Sequence, residues 1–304
     1  MSLTNSTSGH KGNPPIDRSD SVGLLPNFIV IGAMKAGTTS LFRWLQSQPE
    51  VFTSPIKEPN FFSSERVWLK GIHWYESLFQ GSCEWQLRGE ASVSYTAPRL
   101  SECVSDRIAS LIPDCRLIYV VRHPIDRARS HYRHQVQRGR ERRPLNVALQ
   151  NLASEYIQYS LYWSCLRPYT ERFHREQICV VRLEDLIGGE SDGWGIVLQH
   201  LGLDSRLPPT AAFNVTSEKA QFTALMRWLW EHRLLTHVDR YPRWMRKLGR
   251  QVLTRDGSQY RRRIKDASGN VSRKAQDLIQ EEVIRLETWL GREQPLWPID
   301  SYRR

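Results

Sequence analysis

The sequence predicts an α/β protein in which a central parallel sheet lies between layers of helices, a three-layer sandwich. Three observations predict it. Continuous apolar runs at Phe28-Ile29-Val30-Ile31, Cys115 to Val121 and Gln177 to Leu183 have the unbroken character of strands buried on both faces. The first two run directly into segments with helical spacing of apolar residues, and an amphipathic stretch from Arg99 to Ile112 precedes the second. Strands that alternate with helices favour a parallel sheet with helical crossovers.

Length and composition agree with a folded chain. The 304 residues suffice for one large α/β domain or two small ones, and 40% hydrophobic residues with 11 tryptophans argue against disorder. Lys+Arg 43 against Asp+Glu 32 gives +11, a surface that attracts anions: nucleotides, sulfated or carboxylated glycans, nucleic acid or an acidic membrane face. Five cysteines, odd in number and without C-x-x-C spacing, read as reduced, mostly core residues of a cytoplasmic protein. No apolar stretch is long enough to span a bilayer, and the first 25 or so residues, rich in Ser, Gly, Pro and Asp, read as a disordered leader.

The first strand leads into Gly32-Ala33-Met34-Lys35-Ala36-Gly37, and Thr38-Thr39-Ser40 opens a helix with Leu41, Trp44 and Leu45 on one face. Such a turn cradles phosphate, because a helix start offers unpaired N–H groups, glycine permits close approach and Lys35 adds a cation. A Walker A loop places its lysine directly after the second glycine. Here Thr38 follows Gly37 and the lysine sits inside the loop, so the match to an NTPase fails at the residue that reaches the β- and γ-phosphates. For the glycines alone, the alternative is a tight turn with no ligand.

Pro49 ends that helix, and Val51-Phe52-Thr53 is a short extended piece leading to Lys57-Glu58. A carboxylate one short strand beyond the phosphate loop can face the transferred group as a general base; the alternative is a solvated Lys-Glu pair on a turn. Gly71 to Phe79 reads as a short helix, and Gly89 to Tyr95 as a strand end with an exposed loop in which Glu90 is structural. After the helix from Arg99 to Ile112, Arg122 falls at the C-terminal end of the second strand, where open parallel sheets bind ligands. Pro124 holds His123 extended and suits the first turn of the next helix. On that helix Asp126 and Ser130 share a face, so Ser130 can join Arg122 at one phosphate.

Beyond it, Arg138 to Pro144 reads as a mobile basic loop, and two helices follow, at about 146–155 and 159–173. The aromatic residues Tyr159, Tyr162, Trp163 and Tyr169 read as core or as a sugar-stacking stripe. From Ser217 to about Gly269 the character changes, with an amphipathic helix from Phe222 to Leu235 and ten Lys/Arg between Arg240 and Lys265. This variable segment reads as a lid over an anionic acceptor, as a surface for anionic membrane headgroups or as a solvated basic face. Ser272 to Leu290 is a final helix closed by Gly291.

Lys35-Ala36-Gly37-Thr38-Thr39-Ser40-Leu41 resembles the 5′-phosphosulfate loop of sulfotransferases that use 3′-phosphoadenosine 5′-phosphosulfate (PAPS). Lys57-Glu58-Pro59-Asn60-Phe61-Phe62-Ser63 resembles the following segment in the carbohydrate, heparan-sulfate-type branch and its bacterial relatives. Arg122 to Tyr132 is similar to the family's 3′-phosphate site, and the likeness runs from about Pro26 to Pro298. Heparan-type members often carry lysine after the glutamate that Glu90 matches; this chain has Ala91.

The resemblance implies a P-loop-NTPase-like sulfotransferase fold over residues 26–300. It implies 5′-phosphosulfate binding by Lys35, Ala36, Gly37, Thr38, Thr39 and Ser40, 3′-phosphate binding by Arg122 and Ser130, and catalysis by Glu58 as base with Lys35. Arg261 to Lys265 fall where relatives place a nucleotide-contacting loop. The co-substrate would be PAPS and the product adenosine 3′,5′-bisphosphate (PAP). The acceptor would be a glycan or glycolipid, with peripheral contact to an anionic membrane and no nucleic acid. Without the N-terminal anchor of Golgi sulfotransferases, the expected enzyme is of the soluble, bacterial type. No metal is expected, since the sequence has no acidic Walker B strand end and no His/Cys cluster with ligand spacing. A P-loop kinase and a non-enzymatic anion- or glycan-binding protein are the competing readings.

Overall fold

A computed structural model describes residues 23–188, 192–204, 221–222, 254–255 and 271–303. The elements run β1 (Phe28–Gly32), α1 (Thr38–Gln46), β2 (Val51–Thr53), α2 (Glu65–Trp68), α3 (Gly71–Ser77), β3 (Leu87–Ala91), α4 (Ser101–Leu111) and β4 (Arg116–Val121). They continue with α5 (Pro124–Gln137), α6 (Leu145–Ala148), α7 (Glu155–Gln158), α8 (Tyr162–Thr170), β5 (Ile178–Arg182), α9 (Leu183–Leu186) and α10 (Gly193–Leu201). A two-stranded antiparallel pair, β6 (Gln221–Phe222) with β7 (Thr254–Arg255), and the long helix α11 (Arg273–Leu290) complete the described chain.

Strands β1 to β5 form one parallel sheet in the order β2-β3-β1-β4-β5. The central strands β1 and β4 are buried along nearly their whole length, as continuous Val/Ile/Leu runs require. Burying each such side chain contributes about 1.5–3 kcal/mol relative to leaving it in water. Gly89 in β3 is demanded by its partner strand: a Cβ there would lie 2.0 Å from the Phe28 ring. Helices α1 and α10 meet where the Trp44 and Trp194 rings pack edge to face, 6.0 Å apart. On α8, the buried Tyr169 hydroxyl donates to the Tyr95 carbonyl at 2.7 Å.

The final helix begins and ends as its sequence dictates. Ser272 caps the Ala275 amide, and Gly291 leaves the helix in the left-handed region at φ 67°. Behind it, Trp297 and Tyr302 pack against His123, tying the chain end to the start of α5.

Several expectations are corrected. Strand β3 is a full member of the sheet, and the Ser92 to Tyr95 turn after it is largely buried, not exposed, because its hydroxyls satisfy a buried carboxylate. The basic loop after α5 is anchored: buried Glu141 accepts from the Arg142 and Arg143 amides, from the Arg143 guanidinium and from the Tyr156 hydroxyl. Where helices were expected at 146–155 and 159–173, a turn from Asn151 to Ser154 divides the first, and the second is α8 alone. Of the aromatic stripe, Tyr162 and Tyr169 are fully buried in the core, whereas Tyr159 and Trp163 are half-buried. Phe222 pairs with Thr254 in a strand instead of opening a helix. The leader from residue 1 to 22 and nearly all of the basic segment between 217 and 269, Arg261 to Lys265 included, lie outside the described residues.

Candidate active site

The strand order decides where a ligand can lie. From β1 the chain runs through α1 towards β2 on one side, whereas from β4 it runs through α5 towards β5 on the other. Adjacent parallel strands whose connections diverge leave a crevice between their C-terminal ends. The β1 end of this crevice carries Lys35 to Ser40; the β4 end carries Arg122.

At the β1 end, the Ala36 amide closes a turn onto the Ala33 carbonyl at 3.1 Å, and Lys35 has φ 70°. Gly37, the residue before α1, has φ 91°, and a Cβ on it would lie 2.4 Å from Leu183 Cδ1. Only glycine meets both demands without strain. The first turn of α1 presents amides that have no intrahelical acceptor at the positive end of the helix dipole. Thr38 and Ser40 are buried there and Thr39 is half-buried. Backbone N–H groups, hydroxyls and a lysine gathered at one helix start can hold an anion.

A support that sequence reasoning missed lies beneath this loop. Arg127, on α5 and 0% exposed, donates from Nε to Ser160 Oγ at 2.7 Å, from Nη1 to the Met34 carbonyl at 3.3 Å and from Nη2 to the Tyr156 carbonyl. Its burial lowers its proton affinity. Beside it, buried His131 has its pKa lowered to about 3 by desolvation, then by Arg127, with His134 and Lys35 contributing, and is therefore neutral. Ser160 thus shares with the Met34 carbonyl the guanidinium that supports the loop.

The Glu58 loop lies at the C-terminal end of the neighbouring strands. Glu58 and Asn60 both have left-handed backbone, φ 59° and 55°, at a cost on the order of 1–3 kcal/mol each for residues other than glycine. Hydrogen bonds to the end of β3 offset that cost: the Glu58 amide donates to the Ala91 carbonyl at 3.0 Å and the Asn60 amide to Ser92 Oγ at 3.1 Å. The Glu58 carboxylate is part-exposed and accepts from Lys57 Nζ at 2.8 Å. Arg138, at the end of α5, is close enough for the Glu58 charge to act on it, although burial and Arg140 together lower its proton affinity. Under the loop, fully buried Glu90 has its pKa raised to about 7 by desolvation, against hydroxyl donors that lower it, with the Glu58 charge adding to the rise.

At the β4 end, the Tyr162 hydroxyl donates to the Arg122 carbonyl at 2.6 Å and accepts from its amide at 3.3 Å. This fixes the backbone from which the half-buried Arg122 side chain projects. Ser130 is buried on α5 in the unit that follows, and exposed Asp126 pairs with Arg129 at 3.6 Å. His123 is structural: its amide donates to Glu184 Oε1 at 2.9 Å, its Nε2 lies 3.0 Å from Ser301 Oγ, and burial lowers its pKa. Among the described residues, no group of His, Cys, Asp and Glu side chains is arranged to hold a metal ion.

The sequence matches the model of the sulfotransferase domain over residues 25–219, more than half of the chain. The chain belongs to the sulfotransferase domain family. The matched span contains all five strands of the main sheet and every expected site residue from Lys35 to Ser130. Its sulfotransferase relatives include mouse heparan sulfate glucosamine 3-O-sulfotransferase 3A1, 31% identical over 187 residues, which are 59% of this chain and 46% of that protein. Mouse heparan sulfate glucosamine 3-O-sulfotransferase 5 is 28% identical over 221 residues, 68% of this chain and 62% of that protein. The membrane-associated sulfotransferase kil1 of Dictyostelium discoideum is 35% identical over 159 residues, 49% of this chain and 31% of that protein. The chain thus spans about half the length of the curated relatives it matches. The crystal structure of a sulfotransferase from Alicyclobacillus acidocaldarius superposes with a TM-score of 0.58 at 23% identity, covering 92% of this chain and 99% of that one. The fold is therefore that of the sulfotransferases, a central parallel sheet with a P-loop-like turn.

Proposed function

We propose that this sulfotransferase-family chain transfers a sulfuryl group from PAPS to a hydroxyl or amine of a carbohydrate or glycolipid acceptor. The observation that carries this reading is that the Lys35 turn, the Glu58 loop and Arg122 all follow the C-terminal ends of strands of one parallel sheet, in which β1 and β4 leave a crevice where they diverge. Lys35 and the amides of Gly37, Thr38 and Thr39 hold the 5′-phosphosulfate, with Ala36 and Ser40 shaping the turn, and Arg122 and Ser130 hold the 3′-phosphate.

The reaction is an in-line displacement. The acceptor oxygen or nitrogen forms a bond to sulfur, the bond between sulfur and the bridging phosphate oxygen breaks, and that oxygen leaves with the electron pair as part of PAP. Glu58 takes the proton of the acceptor, and Lys35 stabilises charge on the leaving oxygen. As in phosphoryl transfer, positioning and electrostatics supply most of the rate. No step needs a metal ion.

Heparan sulfate glucosamine appears in the names of relatives, which supports a carbohydrate acceptor. Ala91, buried at the end of β3, offers no cation to such a chain. The net charge of +11 supports an anionic acceptor or contact with an anionic membrane. None of the five cysteines is in a disulfide, which supports a reducing, cytoplasmic setting. Among the described residues, no helix is long and apolar enough to cross a membrane.

The test is transfer of labelled sulfate from PAPS to a panel of amino-sugar, uronic-acid and neutral oligosaccharides and glycolipids. Labelled product with a stoichiometric yield of PAP supports the reading; PAPS consumption with no labelled acceptor in any class contradicts it.

A further inference from the structure

The turn that carries the proposed base is tied to a buried carboxylate outside its own loop. The carboxylate of Glu90, 0% exposed, accepts three hydroxyls: Tyr95 at 2.5 Å, Ser92 at 2.7 Å and Tyr75 at 3.1 Å. Because Ser92 gives its proton to Glu90 Oε2, its oxygen is left with lone pairs to accept, and it takes the Asn60 amide at 3.1 Å. Asn60 in turn donates from Nδ2 to the Glu58 carbonyl at 2.7 Å and accepts from Ser94 Oγ at 2.5 Å. A chain of oriented hydrogen bonds therefore runs from the buried carboxylate to the backbone of Glu58, through the two left-handed residues of the loop.

We propose that Ser92, oriented by Glu90, is a positioning residue that fixes the direction of the Glu58 carboxylate through Asn60. This rests on the reading of Glu58 as the base. The rank of the hydroxyl matters more than its bulk: alanine at residue 92 would strand the Asn60 amide and one lone pair of Glu90 together. Small displacements of a reacting group are costly in turnover and nearly silent in binding of a co-substrate held elsewhere.

The experiment is a double-mutant cycle on the full chain, with PAP affinity and melting temperature measured beside kcat and KM. Ser92→Ala is expected to lower kcat about tenfold or more with PAP affinity unchanged, and Glu58→Gln to lower it further. In the Glu58→Gln background the Ser92→Ala change should cost almost nothing, since a residue that acts through Glu58 has nothing left to position. If Ser92→Ala does not fold, Asn60→Ala breaks the same chain from its half-buried side and is judged by the same criteria. Undiminished kcat, or an equal loss with and without Glu58, overturns the positioning role while leaving the base assignment intact. Full activity of Glu58→Gln alone overturns the base assignment, and the positioning role falls with it.

Discussion

The guanidinium of Arg127, with no exposed surface, donates to the carbonyl of Met34 at 3.3 Å, so the core of α5 supports the turn that carries Lys35. Its other donors hold Ser160 and the Tyr156 carbonyl, which joins α7 and the turn before α8 to the same support. Arg127→Met fills the volume and leaves these acceptors unsatisfied. The expected loss is about 1–3 kcal/mol of stability in denaturant titration, with weaker PAP binding at a temperature where the variant is folded. Arg127→Lys keeps the charge but cannot span three acceptors, and should fall between the two.

Glu58→Gln should leave PAP affinity nearly unchanged and lower turnover by roughly a hundredfold or more, the scale of a lost general base. Steady-state kinetics beside a PAP titration checks it. Retained activity would leave the Lys57–Glu58 contact as a surface ion pair only.

Arg122→Ala should weaken PAP far more than adenosine 5′-phosphate, because the two ligands differ by the 3′-phosphate. The pair of dissociation constants measures this directly. Equal losses would remove Arg122 from the 3′-phosphate site and leave it a backbone partner of Tyr162.

Glu90 gives the protein a pH signature. Its folded-state pKa of about 7 lies above its ordinary value of 4.5, so between those limits the folded state binds the extra proton. Its contribution to stability is full below about pH 4.5 and is lost as pH rises through about 7. The lowered pKa values of His131 and His200 act the opposite way, since those rings are kept neutral and stability falls with falling pH. The informative quantity is therefore a difference. The stability of wild type relative to Glu90→Gln should decline as pH rises across that window, and thermal unfolding of both proteins over a pH series checks it.

Strands β1, β4 and β5 could be read from the sequence because they are continuous apolar runs whose neighbours do not alter the pattern. The β2–β3 side of the sheet was harder to read. Strand β2 has only Val51, Phe52 and Thr53, and β3 reads LRGEA, with two charged residues in five. Arg88 is satisfied by the Leu25 carbonyl at 2.9 Å, and Glu90 by the hydroxyls of Ser92 and Tyr95 from the turn that follows and of Tyr75 from α3; an alternating pattern announces none of these. The Lys35 turn, Glu58 and Arg122 stand out in the sequence by residue type and spacing, and each follows a strand of the one parallel sheet. Arg127 was not, since an arginine on a helix reads as solvent-facing until Met34, Tyr156 and Ser160 are seen around it. Glu141 misled in the same way, as one acid within a run of arginines that turned out to be its ligands.

In the proposed function, the crevice between β1 and β4 takes a nucleotide with a 3′-phosphate and a 5′-phosphosulfate. The most direct measurement is a thermal shift titration with PAP, adenosine 5′-phosphate and magnesium ATP. A ligand at a hundred times its dissociation constant stabilises the folded state by about 2.7 kcal/mol. The account predicts that PAP raises the melting temperature, adenosine 5′-phosphate does so weakly and magnesium ATP does not. Stabilisation by magnesium ATP with none by PAP would contradict it and point to a kinase.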